Sequence, residues 1–235
     1  MYKPQIIAFD ADDTLWVNET IFTDTQEKCK DLLSLYVSPE MMEEKLYETE
    51  RRNLRHFGYG IKGFMLSMIE TAIELSEAKI SASEIQEIIH LGKEMLAHPV
   101  HLLDHVEETV RTLSEEFDLM IITKGDLFDQ ESKIARSGMA DFFKYIEIVS
   151  EKDKSSYRQV MMRNRIDIQK LLMVGNSLKS DILPICELGG MAVHIPFHTT
   201  WVLEQIATHH LEHIRYDSLS HIGQLPKYLE LSFLK

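Results

Sequence analysis

A chain of 235 residues can bury one large core, or a core carrying a smaller second one. Its 25 Lys and Arg against 38 Asp and Glu leave a formal net charge of −13, which repels nucleic-acid backbones and anionic lipid at long range. An anionic substrate therefore calls for local positive charge, as a metal would supply. Cys29 and Cys186 lie far apart, which excludes a disulfide framework and zinc-ligand spacing. No apolar run approaches the ~18 residues of a membrane span or forms a long apolar leader, so the expectation is a cytoplasmic protein with no membrane or nucleic-acid partner.

Residues 5–9 (QIIAF) form a short β-branched run between Pro4 and the acids Asp10, Asp12 and Asp13, which reads as a buried strand ending in carboxylates. From about residue 17 to 97 the pattern is helical, with no convincing strand. Thr23 with Gln26 and Ser81 with Glu84 match capping boxes, and Ser38-Pro39 places a cap residue before a first-turn proline. Ile85, Ile88, Ile89, Met95 and Leu96 recur near the helical period and predict one buried face. Arg51, Arg52 and Arg55 beside His56 offer either a basic group for a second anionic centre or a solvated helix face.

Four further apolar runs follow at 119–123, 145–149, 171–174 and 192–195, separated by helical stretches at 127–137, 155–164 and 180–188. That βαβ rhythm predicts an α/β fold with a parallel sheet, interrupted after its first strand by an all-helical insertion. The expected organisation is a core of 1–16 and 98–235 and an insertion of 17–97. His209, His210 and His213 cluster near the C-terminus, but no ligand spacing accompanies them and a solvated face is the expectation.

Open parallel sheets bind ligands at the C-terminal ends of their strands, and four motifs stand there. In the first, Asp10 and Asp12 are two apart and can face one pocket. Asp10 could attack phosphorus to form an aspartyl-phosphate, and Asp12 could protonate the leaving oxygen and then deprotonate water. Asp13 is expected to cap or bond the loop. Thr123, Lys124 and Gly125 offer a hydroxyl and loop amides for phosphate oxygens, with Gly125 letting backbone come close. Lys152 is the expected cation beside Asp10, with Lys154 as competitor. Magnesium would be met by Asp10, a backbone carbonyl and Asp181, which lies in the loop after residues 171–174.

The order Phe9-Asp10-Ala11-Asp12-Asp13-Thr14-Leu15, then Thr123, Lys152 and Asp181, resembles the haloacid dehalogenase-like hydrolase superfamily over nearly the whole chain. The resemblance implies a Rossmann-like three-layer sandwich with an all-helical cap, and a magnesium-dependent phosphatase acting on a small phosphorylated metabolite. It implies Asp10 as nucleophile and metal ligand, Asp12 as acid and base with its carbonyl on the metal, Thr123 and Lys152 on phosphate, and Asp181 on magnesium. Asn176 stands where many relatives carry Asp, and it would reach the metal through water or order the loop. Dehalogenases of the superfamily lack an acid at the position of Asp12. A phosphomutase shares the same acids, and a non-catalytic binding protein could keep the fold.

Overall fold

The computed structural model describes residues 3–207 and 211–233. The chain divides into two compact units, Thr20–Pro99 on one side and Met1–Glu19 with Val100–Lys235 on the other. His209 and His210 fall outside the described residues.

The larger unit is built on six parallel strands: β1 (Ile6–Phe9), β2 (Asp118–Lys124), β3 (Tyr145–Val149), β4 (Leu171–Gly175), β5 (Met191–His194) and β6 (Asp217–Ser218), in the order β3-β2-β1-β4-β5-β6. Helices α5 (Val106–Ser114), α6 (Leu127–Arg136), α7 (Lys154–Asn164), α8 (Leu183–Glu187) and α9 (Leu225–Phe233) accompany them. Strand side chains alternate between two cores. Ile7, Phe9, Leu119, Ile121, Leu172, Val174 and Val193 pack with α5, α6 and α9, whereas Ile6, Ala8, Met120, Ile122, Leu171, Met173 and Ala192 pack with α7 and α8. Two covered faces explain why these strands read as continuous apolar runs and why the fold is a Rossmann-like three-layer sandwich. Because β1 lies between β2 and β4, the loops after these three strands open at one edge of the sheet.

The smaller unit holds α2 (Pro39–Phe57), α3 (Ile61–Leu75), α4 (Ala82–Ala97) and nearly all of α1 (Glu19–Leu33) around Cys29, Leu33, Met42, Leu46, Phe64, Met68, Ile88 and Met95. Ser38 caps α2 with proline in its first turn, and Ser81 and Glu84 form the expected capping box on α4. Thr23 is different: it lies inside α1 rather than at its start. The Asp13 carboxylate accepts from the amides of Asn18 and Glu19 and so satisfies that helix end earlier than a Thr23 cap would.

Several elements depart from the sequence expectation, β6 and α9 among them, which lie past the last predicted run at 192–195. Helix α5 was not anticipated, although Val106, Thr109, Val110 and Leu113 bury one face at helical spacing. The helix expected at 180–188 is a π-type turn, Leu178–Ile182, followed by α8. Pro184 supplies no amide hydrogen there, and the amides of Asp181 and Ile182 both donate to the Ser177 carbonyl. Among the described residues no helix is long and apolar enough to cross a membrane.

Candidate active site at the ends of the central strands

Asp10 follows β1 directly, tied to the sheet by its amide, which donates to the Val174 carbonyl at 2.9 Å. Its carboxylate meets the Lys152 ammonium, which also donates to Asp181 Oδ1 at 2.8 Å. All three residues are buried. Lys152 follows β3 and Asp181 the loop after β4, so three strand ends converge on one ion triad. Lys154 is instead an exposed partner of Glu187.

The triad carries two acids against one cation. Burial pushes the Asp10 carboxyl up, the Lys152 charge pulls it down and the Asp181 charge pushes it up again, leaving it at about 7. The Asp12 charge adds a smaller upward push. Burial alone would lower Lys152, but Asp10 and Asp181 outweigh it and hold the ammonium well above its ordinary range.

Residue size tightens the arrangement. A Cβ on Gly175 would sit 2.2 Å from Asp181 Oδ2, so a glycine at the end of β4 makes the space that this carboxylate occupies. Asp181 Oδ2 in turn accepts from the Ser177 amide at 2.9 Å. Two buried carboxylates suit a hard divalent cation that keeps several waters. The donor set thus fits magnesium, although among the described residues no three acidic, His or Cys side chains group as metal ligands.

Thr14 joins the motifs. Its hydroxyl lies 3.1 Å from both Asp10 Oδ2 and Asn176 Oδ1, with one proton to give, and accepts from the Asn176 amide at 3.1 Å. Asn176 thereby orders the loop against β1, and its carbonyl meets His194 Nε2 at 3.0 Å. Burial lowers His194, partly offset by that bond.

Thr123 is buried at the end of β2. The Lys124 ammonium is engaged by other groups: it meets Glu204 and lies 3.0 Å from Ser180 Oγ and 3.5 Å from Glu151. Burial would raise Glu204, but Lys124 and the hydroxyls of Ser177 and Ser180 outweigh it and lower the carboxyl. The Gly125 amide donates to the Val149 carbonyl at 3.3 Å. Gly125 has φ +145°, and a Cβ there would lie 2.9 Å from Gln130 Nε2, so it yields its space to that side chain.

Asp12 has partners that the sequence reading did not single out. It accepts from Trp16 Nε1 at 2.7 Å, Gln130 Nε2 at 2.8 Å and Lys133 Nζ at 2.7 and 2.9 Å. Gln130 and Lys133 belong to α6, whose buried face is Asp129, Gln130, Lys133 and Ile134. Three polar residues on an inward face were the available signal. In the helical unit, Arg52 pairs with Glu70 and Glu74, Arg51 lies over the Tyr47 ring, and Arg55 bonds His56.

The family model "haloacid dehalogenase-like hydrolase" matches residues 4–187. A haloacid dehalogenase-like family hydrolase from Xanthomonas campestris is 38% identical with a TM-score of 0.86, covering 97% of this chain and 91% of its own. A 2-haloacid dehalogenase from Pseudomonas syringae pv. tomato DC3000 (21% identity, TM-score 0.64, 97% and 99% coverage) and magnesium-bound YfnB from Bacillus subtilis (17%, 0.70, 97% and 99%) share the fold. No curated protein matches. With the family model covering most of the sheet and all four motif loops, the chain belongs to the haloacid dehalogenase-like hydrolases.

Proposed function

We propose that the protein is a magnesium-dependent phosphohydrolase acting on a small phosphorylated metabolite through an aspartyl-phosphate. The observation that carries this reading is the buried triad of Asp10, Lys152 and Asp181, with a second acid, Asp12, two residues after Asp10.

In this reading Asp10 attacks phosphorus, forming an O–P bond as the ester O–P bond breaks, and Asp12 gives its proton to the departing oxygen. Water then attacks the same phosphorus and gives a proton to Asp12, while Asp10 leaves as carboxylate. Lys152 offsets charge on Asp10 and on the transferring group. Thr123 and the adjoining backbone receive phosphate oxygens; Lys124 is assigned its backbone there, because its ammonium is engaged by Glu204. Magnesium, when bound by Asp10, Asp181 and the Asp12 carbonyl, supplies positive charge against the phosphate. Asn176 orders the loop through Thr14. The helical unit Thr20–Pro99 is proposed as the cap that differs with substrate.

Asp12 also separates this chemistry from dehalogenation. A halide leaves without a proton, whereas an alkoxide must receive one. The test is phosphate release from p-nitrophenyl phosphate and a panel of sugar phosphates. Turnover with magnesium, lost with chelator and in Asp10→Asn, is expected; a wild type inert across the panel, or chloride release from a 2-haloacid, would overturn the reading.

A further inference from the structure

We infer that Gln130 and Lys133 are positioning residues that aim the Asp12 carboxyl at the leaving-group oxygen; this rests on the phosphohydrolase reading above. The two residues stand three apart on α6 and share one face of it. Gln130 Nε2 bridges Asp12 Oδ2 at 2.8 Å and the Lys124 carbonyl at 3.1 Å, which ties Asp12 to the end of β2. Lys133 Nζ reaches both Asp12 oxygens and, at 3.2 Å, Asn18 Oδ1; Asp129 Oδ2 lies 3.8 Å away. Trp16, fully buried, adds its indole N–H to Asp12 Oδ1. Four donor contacts from three side chains hold both oxygens of the Asp12 carboxylate, the form that takes a proton from water; when Asp12 carries its proton, one of these donors gives up its place to it.

Exposure indicates what such fixing is for. The Asp12 side chain keeps 21% of its surface open, against 10% for Asp10 and 1% for Asp181. Asp12 is thus the acid of the group best placed to exchange a proton with something arriving from outside, and it is held by the most partners.

A purely structural role fits poorly. Stability alone would favour an apolar face on α6, because buried ions recover their desolvation cost only with excellent pairing. Gln130 Oε1 moreover has no partner among the described residues although Gln130 is buried, which costs stability. Gly125 is needed as well, since a side chain there would press on Gln130.

In the first step the Asp12 proton passes to the ester oxygen as its bond to phosphorus breaks; in the second, the attacking water returns a proton to Asp12. An acid held out of line hurts the first step in proportion to how badly the leaving oxygen needs that proton. Lys133→Met and Gln130→Ala should therefore act selectively on poor leaving groups.

The experiment compares kcat/KM of the full chain for p-nitrophenyl phosphate and benzyl phosphate, with magnesium, in wild type, Lys133→Met, Lys133→Arg and Gln130→Ala. Lys133→Met should lose about a hundredfold on the benzyl ester and under about tenfold on the nitrophenyl ester. Lys133→Arg, which can still donate to both oxygens, should recover most of the difference, and Gln130→Ala should be selective in the same direction. Gln130→Ala also keeps the test alive if Lys133→Met does not fold. Equal losses on both esters, or none, would overturn this inference alone; a wild type inactive on both would overturn the phosphohydrolase reading and this inference with it.

Discussion

Gly175→Ala is the smallest change that addresses the metal and cation geometry without touching a charged group. The added methyl would lie 2.2, 2.4 and 2.7 Å from Asp181 Oδ2, Cγ and Cβ, and raising the shortest contact to the 3.0 Å that real Cβ atoms keep needs a shift of at least 0.8 Å. Asp181 is 1% exposed, and its two oxygens are taken at 2.8 Å by Lys152 and at 2.9 Å by the Ser177 amide, so a shift of that size strains both bonds. Overpacking of this kind costs about 1–3 kcal/mol, and misplacing a reacting group by an ångström costs roughly a hundredfold in rate. The assay is phosphate release titrated with magnesium, run beside urea denaturation. Turnover should fall roughly a hundredfold and half-saturation by magnesium should rise. Gly189→Ala serves as control: its φ of +84° strains alanine by about 1–2 kcal/mol, but no atom lies within 4 Å of the new methyl. If Gly175→Ala kept wild-type turnover and magnesium dependence, the reasoning from Asp181 placement would be refuted.

Lys152→Ala should abolish measurable turnover and destabilise the core by about 3–5 kcal/mol, since it strands two buried carboxylates. Lys154→Ala removes an exposed pair and should change neither turnover nor stability by more than about 1 kcal/mol; the reverse ranking in activity and urea denaturation would reassign the cation. Asp12→Asn given p-nitrophenyl phosphate, whose leaving group needs the acid least, should accumulate a phosphoryl adduct on Asp10, visible by intact-mass spectrometry of quenched reactions, and an adduct-free chain at steady state would count against Asp12 as the base. Burial alone raises Glu50 from 4.5 to about 7, so it binds a proton more tightly folded than unfolded: the stability this gives is complete below pH 4.5 and lost as pH rises through 7, about 3 kcal/mol in all. Glu50→Gln should accordingly stabilise the chain at pH 8 relative to pH 5, and a pH-independent difference in denaturation free energy would exclude the effect.

The parallel sheet was legible because its central strands are covered on both faces. Ile6, Ile7, Ala8 and Phe9 are all buried, and so are all five residues of β4, so each run carries its own signal without help from the rest of the chain. Helix α5 carries a comparable signal, but its two middle turns are written with Glu107, Glu108 and Arg111 outward and a threonine among the inward residues, which dilutes the apolar count. The start of α1 was misread for another reason. A capping box is a local pattern, whereas the carboxylate that serves this helix comes from Asp13, five and six residues before the amides it accepts from.

The site divides along the same line. Asp10 directly follows β1, while Lys152 and Asp181 lie three and six residues past β3 and β4, in loops that a parallel sheet brings to one edge, so their meeting could be anticipated from order. Lys133 and Gln130 sit mid-helix, where only the face they occupy brings them to Asp12, and a polar residue on a helix gives no such indication by itself. Charge balance offers a way to have found them. Three acids were expected around one phosphate site, with Lys152 and magnesium to offset them, although carboxylates withdrawn from water require cations or donors of their own. Lys124 was the nearest candidate in sequence, yet Glu204, eighty residues later in the chain, claims it. The requirement then falls on Lys133, whose neighbours Asp129 and Gln130 would make little sense on a buried helix face unless that face met a charge.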